Sequence, residues 1–188
     1  VPRPTPPALT RRAVLPLVLL VTAAPLAGCA SSVGVPVAQD AANPDCARIV
    51  LQLPESLGDG LDQHRTTSQA TSAWGDPTDP VTLRCGVEVP GPTTEQCVTV
   101  ETAAGTAIDW LVRADAEPPD GAADGATEGS TPDALPSPGT SDWTFVTYGR
   151  APAVEVHVPA SVVAERSTSF LDALSPAIAQ VEATRSCL

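Results

Sequence analysis

Apolar and polar positions alternate most cleanly in VTLRCGVEV, residues 81–89. Val81, Leu83, Cys85, Val87 and Val89 fall on one side, and Thr82, Arg84 and Glu88 on the other. A period of two is that of a strand with one face in a core. TAIDWLVR, residues 106–113, repeats it, with Ile108, Trp110 and Val112 set against Asp109 and Arg113. Trp143 to Tyr148 and Ala153 to Val158 read as two more strands, joined by a turn near Gly149 to Pro152. In the second of these Val154, Val156 and Val158 point to the core, and Glu155 and His157 point out. CVTVET, residues 97–102, is expected to return beside residues 81–89 after the turn-forming PGPTTEQ.

Helical spacing brackets these strands. In DCARIVLQLP, residues 45–54, Cys46, Ile49 and Leu53 share a helical face, Asp45 can cap it and Pro54 should end it. Near the C-terminus Phe170, Leu174, Ile178 and Val181 lie at near-helical spacing. Ser169 with Asp172 resembles a capping box. Pro176 implies a kink, or a second helix capped by Ser175. Residues 55–80 read as turns, with Trp74 packed over the core. The expected fold class is α+β: one small domain over residues 45–188, with about five mainly antiparallel strands, a short N-terminal helix, a C-terminal helix and two disulfides.

Two stretches carry no periodicity. Residues 29–44 read as a flexible tether. Residues 114–142 are dense in Pro, Gly, Ser and acid, with Leu135 the one large apolar residue. Such a segment buries too little to offset its ordering entropy and reads as a disordered acidic insertion. Its Asp120, Asp124 and Glu128 do not follow calcium-loop spacing, so neither a metal nor a cofactor is expected.

The first 28 residues follow another pattern. Arg3, Arg11 and Arg12 precede a 15-residue apolar run, Ala13 to Ala27, which is short for a membrane span. A charged start, a short apolar core and small residues at its end are the layout of an export signal. This one closes in Leu26-Ala27-Gly28-Cys29, which resembles a bacterial lipobox. The resemblance implies a diacylglyceryl group on Cys29 and cleavage before it. Two acyl chains anchor stably where one does not. The expected address is the outer face of the cell membrane, reached by the general or the twin-arginine route, since TRRAVL also resembles a twin-arginine motif.

Charge and cysteines refine that picture. All 22 acids follow Cys29, leaving seven Arg and no Lys against them, a net near −15 after cleavage. Such a surface repels nucleic acid and anionic lipid. Cys46, Cys85, Cys97 and Cys187 remain besides Cys29. An even number outside the cytoplasm reads as two disulfides, with three pairings open. The strand–turn–strand reading favours Cys85–Cys97, which leaves Cys46–Cys187 to tie the two ends.

Candidate chemistry is sparse. Only His64 and His157 could serve as imidazole bases, and Glu155 is placed to orient His157. The densest patch of distinctive polar residues is TYGRAPAVEVHVP, residues 147–159. Arg84, Tyr148, Arg150, Glu155 and His157 form the candidate binding face, Arg offering an anchor for an acidic or amide-rich partner. The lipobox, AWGDP at 73–77, LRCGV at 83–87, DWLV at 109–112, residues 147–159 and Cys187 together resemble an actinobacterial lipoprotein family, domain of unknown function 3515. That resemblance implies a single extracytoplasmic domain and names no activity. The function expected is a non-catalytic module that binds an envelope protein or wall component, with a small extracytoplasmic hydrolase as the alternative.

Overall fold

The computed structural model describes residues 2, 32–102, 105–115, 141–165 and 168–188. Apart from Pro2, the stretch read as an export signal lies outside them, as do Cys29 and residues 116–140 of the stretch read as an acidic insertion. Among the described residues the sheet has seven strands, two more than the pattern suggests: β1 (Gln63–His64), β2 (Thr71–Trp74), β3 (Val81–Val87), β4 (Cys97–Glu101), β5 (Ala107–Asp115), β6 (Asp142–Thr147) and β7 (Ala153–Val158). Their order is β1-β2-β3-β7-β6-β5-β4, and every neighbouring pair is antiparallel.

The extra strands, β1 and β2, lie in the stretch read as turns. All four residues of β2 are buried, two of them polar. Thr71 Oγ1 donates to Ser68 O at 2.6 Å, and Ser72 Oγ accepts from Gln63 Nε2 at 2.8 Å. Hydrogen bonding lets these polar groups enter the interior without an apolar pattern. Trp74 is fully buried and donates Nε1–H to Pro54 O at 3.0 Å.

One face of the sheet makes the core. Leu83, Cys85, Trp110, Val154, Val156 and Val158 are all fully buried there. Over them lie α1 (Pro44–Val50), α2 (Ala160–Glu165), a 3₁₀ helix (Thr168–Leu174) and α3 (Ser175–Ile178). The cap of α1 is Asn43, whose side chain accepts from Asp45 N–H, so Asp45 sits in the first turn instead of capping it. The C-terminal helix divides at Leu174, and Ser175 is inside α3 without capping it. Phe170, Leu174, Ile178 and Val181 still bury as their spacing requires.

The expected partnership of β3 with β4 does not form. Three strands separate them, because β4 pairs with β5 and β3 with β7. At about 4.8 Å per strand the two lie some 19 Å apart, far beyond a disulfide's reach. The bridges are therefore Cys46–Cys85 and Cys97–Cys187, correcting the pairing that the strand–turn–strand reading favoured. The first pins α1 to the inner face, and the second ties edge strand β4 to the C-terminal residues.

Residues 32–43 correct the tether reading. Val33, Val35, Ala38 and Ala41 are buried, and Val33 bridges Thr66. Val33 N–H donates to Arg65 O and Asp40 N–H to Gly86 O. This segment covers part of the outer face, where Val33 and Val35 pack on Ala73. The strands beside the insertion reach further than the sequence suggests: Ala114 and Asp115 belong to β5 and Asp142 to β6, with Asp115 opposite Asp142.

Candidate functional site

Register across the sheet assembles the outer face. Arg84 on β3 lies opposite Glu155 on β7, Glu155 opposite Val146 on β6, Val146 opposite Leu111 on β5, and Leu111 opposite Cys97 on β4. Directly opposed residues project to the same face. One row thus carries Arg84, Glu155, Val146, Leu111 and Cys97. The next outward row carries Thr82, His157, Thr144 and Arg113.

A β-bulge opens this face into a cleft. The register shifts between Cys85 and Val87, with Gly86 at φ +91°. An extra residue in one strand re-aims the side chains that follow it. Val87 and Val89 therefore leave the alternation that predicts them in the core; Val87 is half-buried and Val89 is 44% exposed. A side chain at Gly86 would collide with the backbone of Asp40 and Ala41, so the close approach of that segment needs glycine. Beyond the bulge, residues 88–96 carry the chain from β3 to the far edge. Between this strap, Val37–Gln39 and the floor residues Arg84, Glu155, Val146 and Arg113 lies a cleft of about 690 Å³.

Two ion pairs order the cleft. Arg84 meets Glu155 at 2.6 Å, and Arg113 meets Glu95 of the strap at 2.6 Å. The hydrogen bond from Arg113 holds the Glu95 carboxyl below its usual range, against the opposing effect of burial. The same bond raises Arg113 above the ordinary guanidinium value. Both therefore stay charged at neutral pH. Glu88 adds a further carboxylate to the lining.

Of the expected binding face, Arg84, Glu155 and His157 come together on the outer side. The carboxylate near His157 is Asp142, 3.4 Å from Nε2, because Glu155 is held by Arg84. His64 Nε2 is bonded to Gly75 O at 2.6 Å. Neither imidazole bonds a hydroxyl or thiol side chain among the described residues. Tyr148 is half-buried beside a smaller hollow of about 210 Å³ next to Cys97 and Cys187.

Arg150 is not part of that face. It is 8% exposed, and its Nη1 donates to Val181 O and its Nη2 to Ala107 O. Burial pushes its guanidinium pKa down, offset in part by Asp109. It fastens the β6–β7 turn to the C-terminal segment through carbonyl oxygens. Thr184 N–H donates to Gly149 O at 2.7 Å beside it.

Pattern reading passes over Glu88, Glu95, Val37 and Val89 as site residues. Arg113 and Glu88 left a trace only as outward positions of alternating strands.

The family model for a protein of unknown function (DUF3515) matches residues 12–187. The chain belongs to that family. No curated protein and no solved structure matches it. The match spans β1 to β7 and both disulfides, so the sheet with its strap is the DUF3515 domain of this chain.

Proposed function

We propose that this DUF3515 protein is a lipid-anchored module on the outer face of the cell membrane, that it binds an envelope protein or wall component, and that the strap cleft is its working surface. The observation that carries this reading is the cleft: charged side chains from β3, β5 and β7 line it beside the strap, Arg84 held by Glu155 and Arg113 by Glu95 of the strap. A preformed concavity with a few fixed polar groups is the form of a binding site.

The address rests on two supports. The lipobox ends at Cys29, and paired disulfides are characteristic of oxidising compartments. Among the described residues no helix is long and apolar enough to cross a membrane. Three residues lie between Cys29 and Val33, which packs on the domain. Even fully extended, the path from Cys29 to Val33 spans about 14 Å. A lipid on Cys29 would hold the domain close against the bilayer.

Labelling cells with a radioactive fatty acid tests the anchor: wild type is expected to carry label and Cys29→Ala none. Crosslinking in intact cells tests the surface, since Arg84→Gln with Glu155→Gln is expected to lose the partners of wild type. Equal labelling of the Cys29 variant would remove the anchor; unchanged crosslinks would remove the cleft.

A further inference from the structure

The two edges of the sheet end differently. Beyond β1, Gln63 N–H donates to Glu55 O at 2.8 Å, Ser56 bridges Asp62, and Val33 bonds through its backbone to Arg65 and Thr67. Backbone from elsewhere in the chain closes that edge. Beyond β4 no described segment does so. At the two ends of β4, Val112 N–H donates to Gln96 O and Thr102 N–H to Thr106 O. Bonded pairs alternate along an antiparallel ladder. Val98 and Val100 therefore bond inward to β5, and the N–H and C=O of Cys97, Thr99 and Glu101 point away from the sheet. Those backbone groups make no hydrogen bond among the described residues.

Open edges are commonly blunted by Lys, Pro or a bulge. β4 has none of these: its five residues read CVTVE, and its register with β5 runs without a break. Any extended strand could bond there. The sequence of the edge selects among them, because β4 complements itself.

In an antiparallel pair of β4 strands centred on Thr99, Thr99 faces Thr99 and Cys97 faces Glu101 on the outer side. On the inner side Val98 of each copy meets Val100 of the other. Both valines pack on the core and are only half-buried, so a second β4 covers apolar surface that one chain leaves in water. Such cross-strand pairs are favourable, whereas like charges directly opposed are not. Glu101 is the one charged residue of β4. In this register it stands four residues along from its copy, about 14 Å away. Asp109, opposite Thr99 on β5, lies three strand spacings from its own copy, again about 14 Å. Both separations exceed the roughly 8 Å over which salt screens exposed charges. A shift of two residues one way would set Glu95 against Glu101, and the other way would set Val98 against Thr102.

We propose that β4 is a self-association edge: two copies of the chain pair their β4 strands antiparallel about Thr99 and join their sheets into one.

Sedimentation equilibrium of the full chain in density-matched detergent tests this. A small interface made of one strand pair is expected to give a monomer–dimer equilibrium with a dissociation constant on the order of 0.1 mM. Raising salt from 50 to 500 mM should tighten it severalfold, since the two chains are both acidic. Thr99→Pro removes an outward N–H and leaves the inward bonds of Val98 and Val100, so it is expected to weaken the dimer tenfold or more. Should that variant melt early, Thr99→Lys serves in its place, because it opposes two like charges at the centre of the pair. Mild oxidation of Thr99→Cys should give a dimer on a non-reducing gel, and Ala107→Cys, exposed on β5 away from the edge, should not. A monomer at all concentrations up to 1 mM would overturn the proposal. So would a dimer that neither Thr99 variant weakens, or crosslinking at Ala107→Cys as efficient as at Thr99→Cys.

Discussion

The two faces of this one sheet are built to different rules. On the inner face, Leu83, Val154, Val156 and Trp110 meet helices and exclude water. Their burial is worth roughly 1.5–3 kcal/mol for each large side chain. On the outer face the same strands present Arg84, Glu155, His157, Thr144 and Arg113, partly covered by a strap and by the segment before α1. Cover there comes from loops, and the cleft lies between them and the strands. The lesson is that one strand serves both purposes: β3 alternates between stabilising the domain through Leu83 and presenting Arg84 to the cleft.

The disulfides repeat the contrast, and the strongest test of it lies with them. Cys46–Cys85 is wholly buried on the inner face, whereas Cys97 and Cys187 are each part-exposed beside the outer one. Loop closure contributes about 4–5 kcal/mol for either bridge in the chain-entropy model. Only the buried pair adds a cavity when both cysteines become alanine, so Cys46→Ala with Cys85→Ala is expected to cost about 1–2 kcal/mol more than Cys97→Ala with Cys187→Ala. Denaturant titration measures both. In the native protein, mild dithiothreitol followed by alkylation should label Cys97 and Cys187 first, because access limits thiol exchange. Equal labelling of all four would erase the distinction between the faces.

Adjacent positions on β3 sharpen it next. Leu83→Ala is expected to lose about 3 kcal/mol of stability. Arg84→Ala should lose less than about 1 kcal/mol, since a part-exposed ion pair contributes little. Comparable losses would mean that the outer face is a second core. The row itself carries a warning on this point, for Leu111 and Val146 are buried on the outer side. They are expected to behave as core residues, with Leu111→Ala closer to Leu83→Ala than to Arg84→Ala.

The smallest effect concerns pH. Glu95 has its carboxyl pKa lowered by Arg113, from an ordinary value of 4.5. A depressed pKa contributes stability that is present above the unfolded value and is lost as pH falls through the folded one. Below about pH 4.5 the melting temperature of wild type should therefore fall more steeply than that of Glu95→Gln. Parallel curves would show that the strap is held by something other than this pair.

The inner face was legible in the chain because hydrophobic burial leaves a period. Val81, Leu83 and Cys85, then Ile108, Trp110 and Val112, then Val154, Val156 and Val158 all bury as alternation requires. The outward places of Arg84, Glu155 and His157 follow from the same period. Family membership was legible too: AWGDP and LRCGV, two of the stretches that resemble the family, lie within the matched residues 12–187.

Three things had to wait for the tertiary structure. β2 hides because Thr71 and Ser72 enter the interior on hydrogen bonds, which leave no apolar trace. Arg150 looks like a surface anchor in sequence, yet it is buried, with carbonyl oxygens from two distant segments holding Nη1 and Nη2. The third is strand order. A strand's pattern states which side of it is wet, and says nothing of which strand lies beside it. Whether residues 88–96 make a tight turn or cross three strands depends on non-local pairing of β3 with β7 and of β4 with β5. That choice created both the disulfide pairing and the cleft.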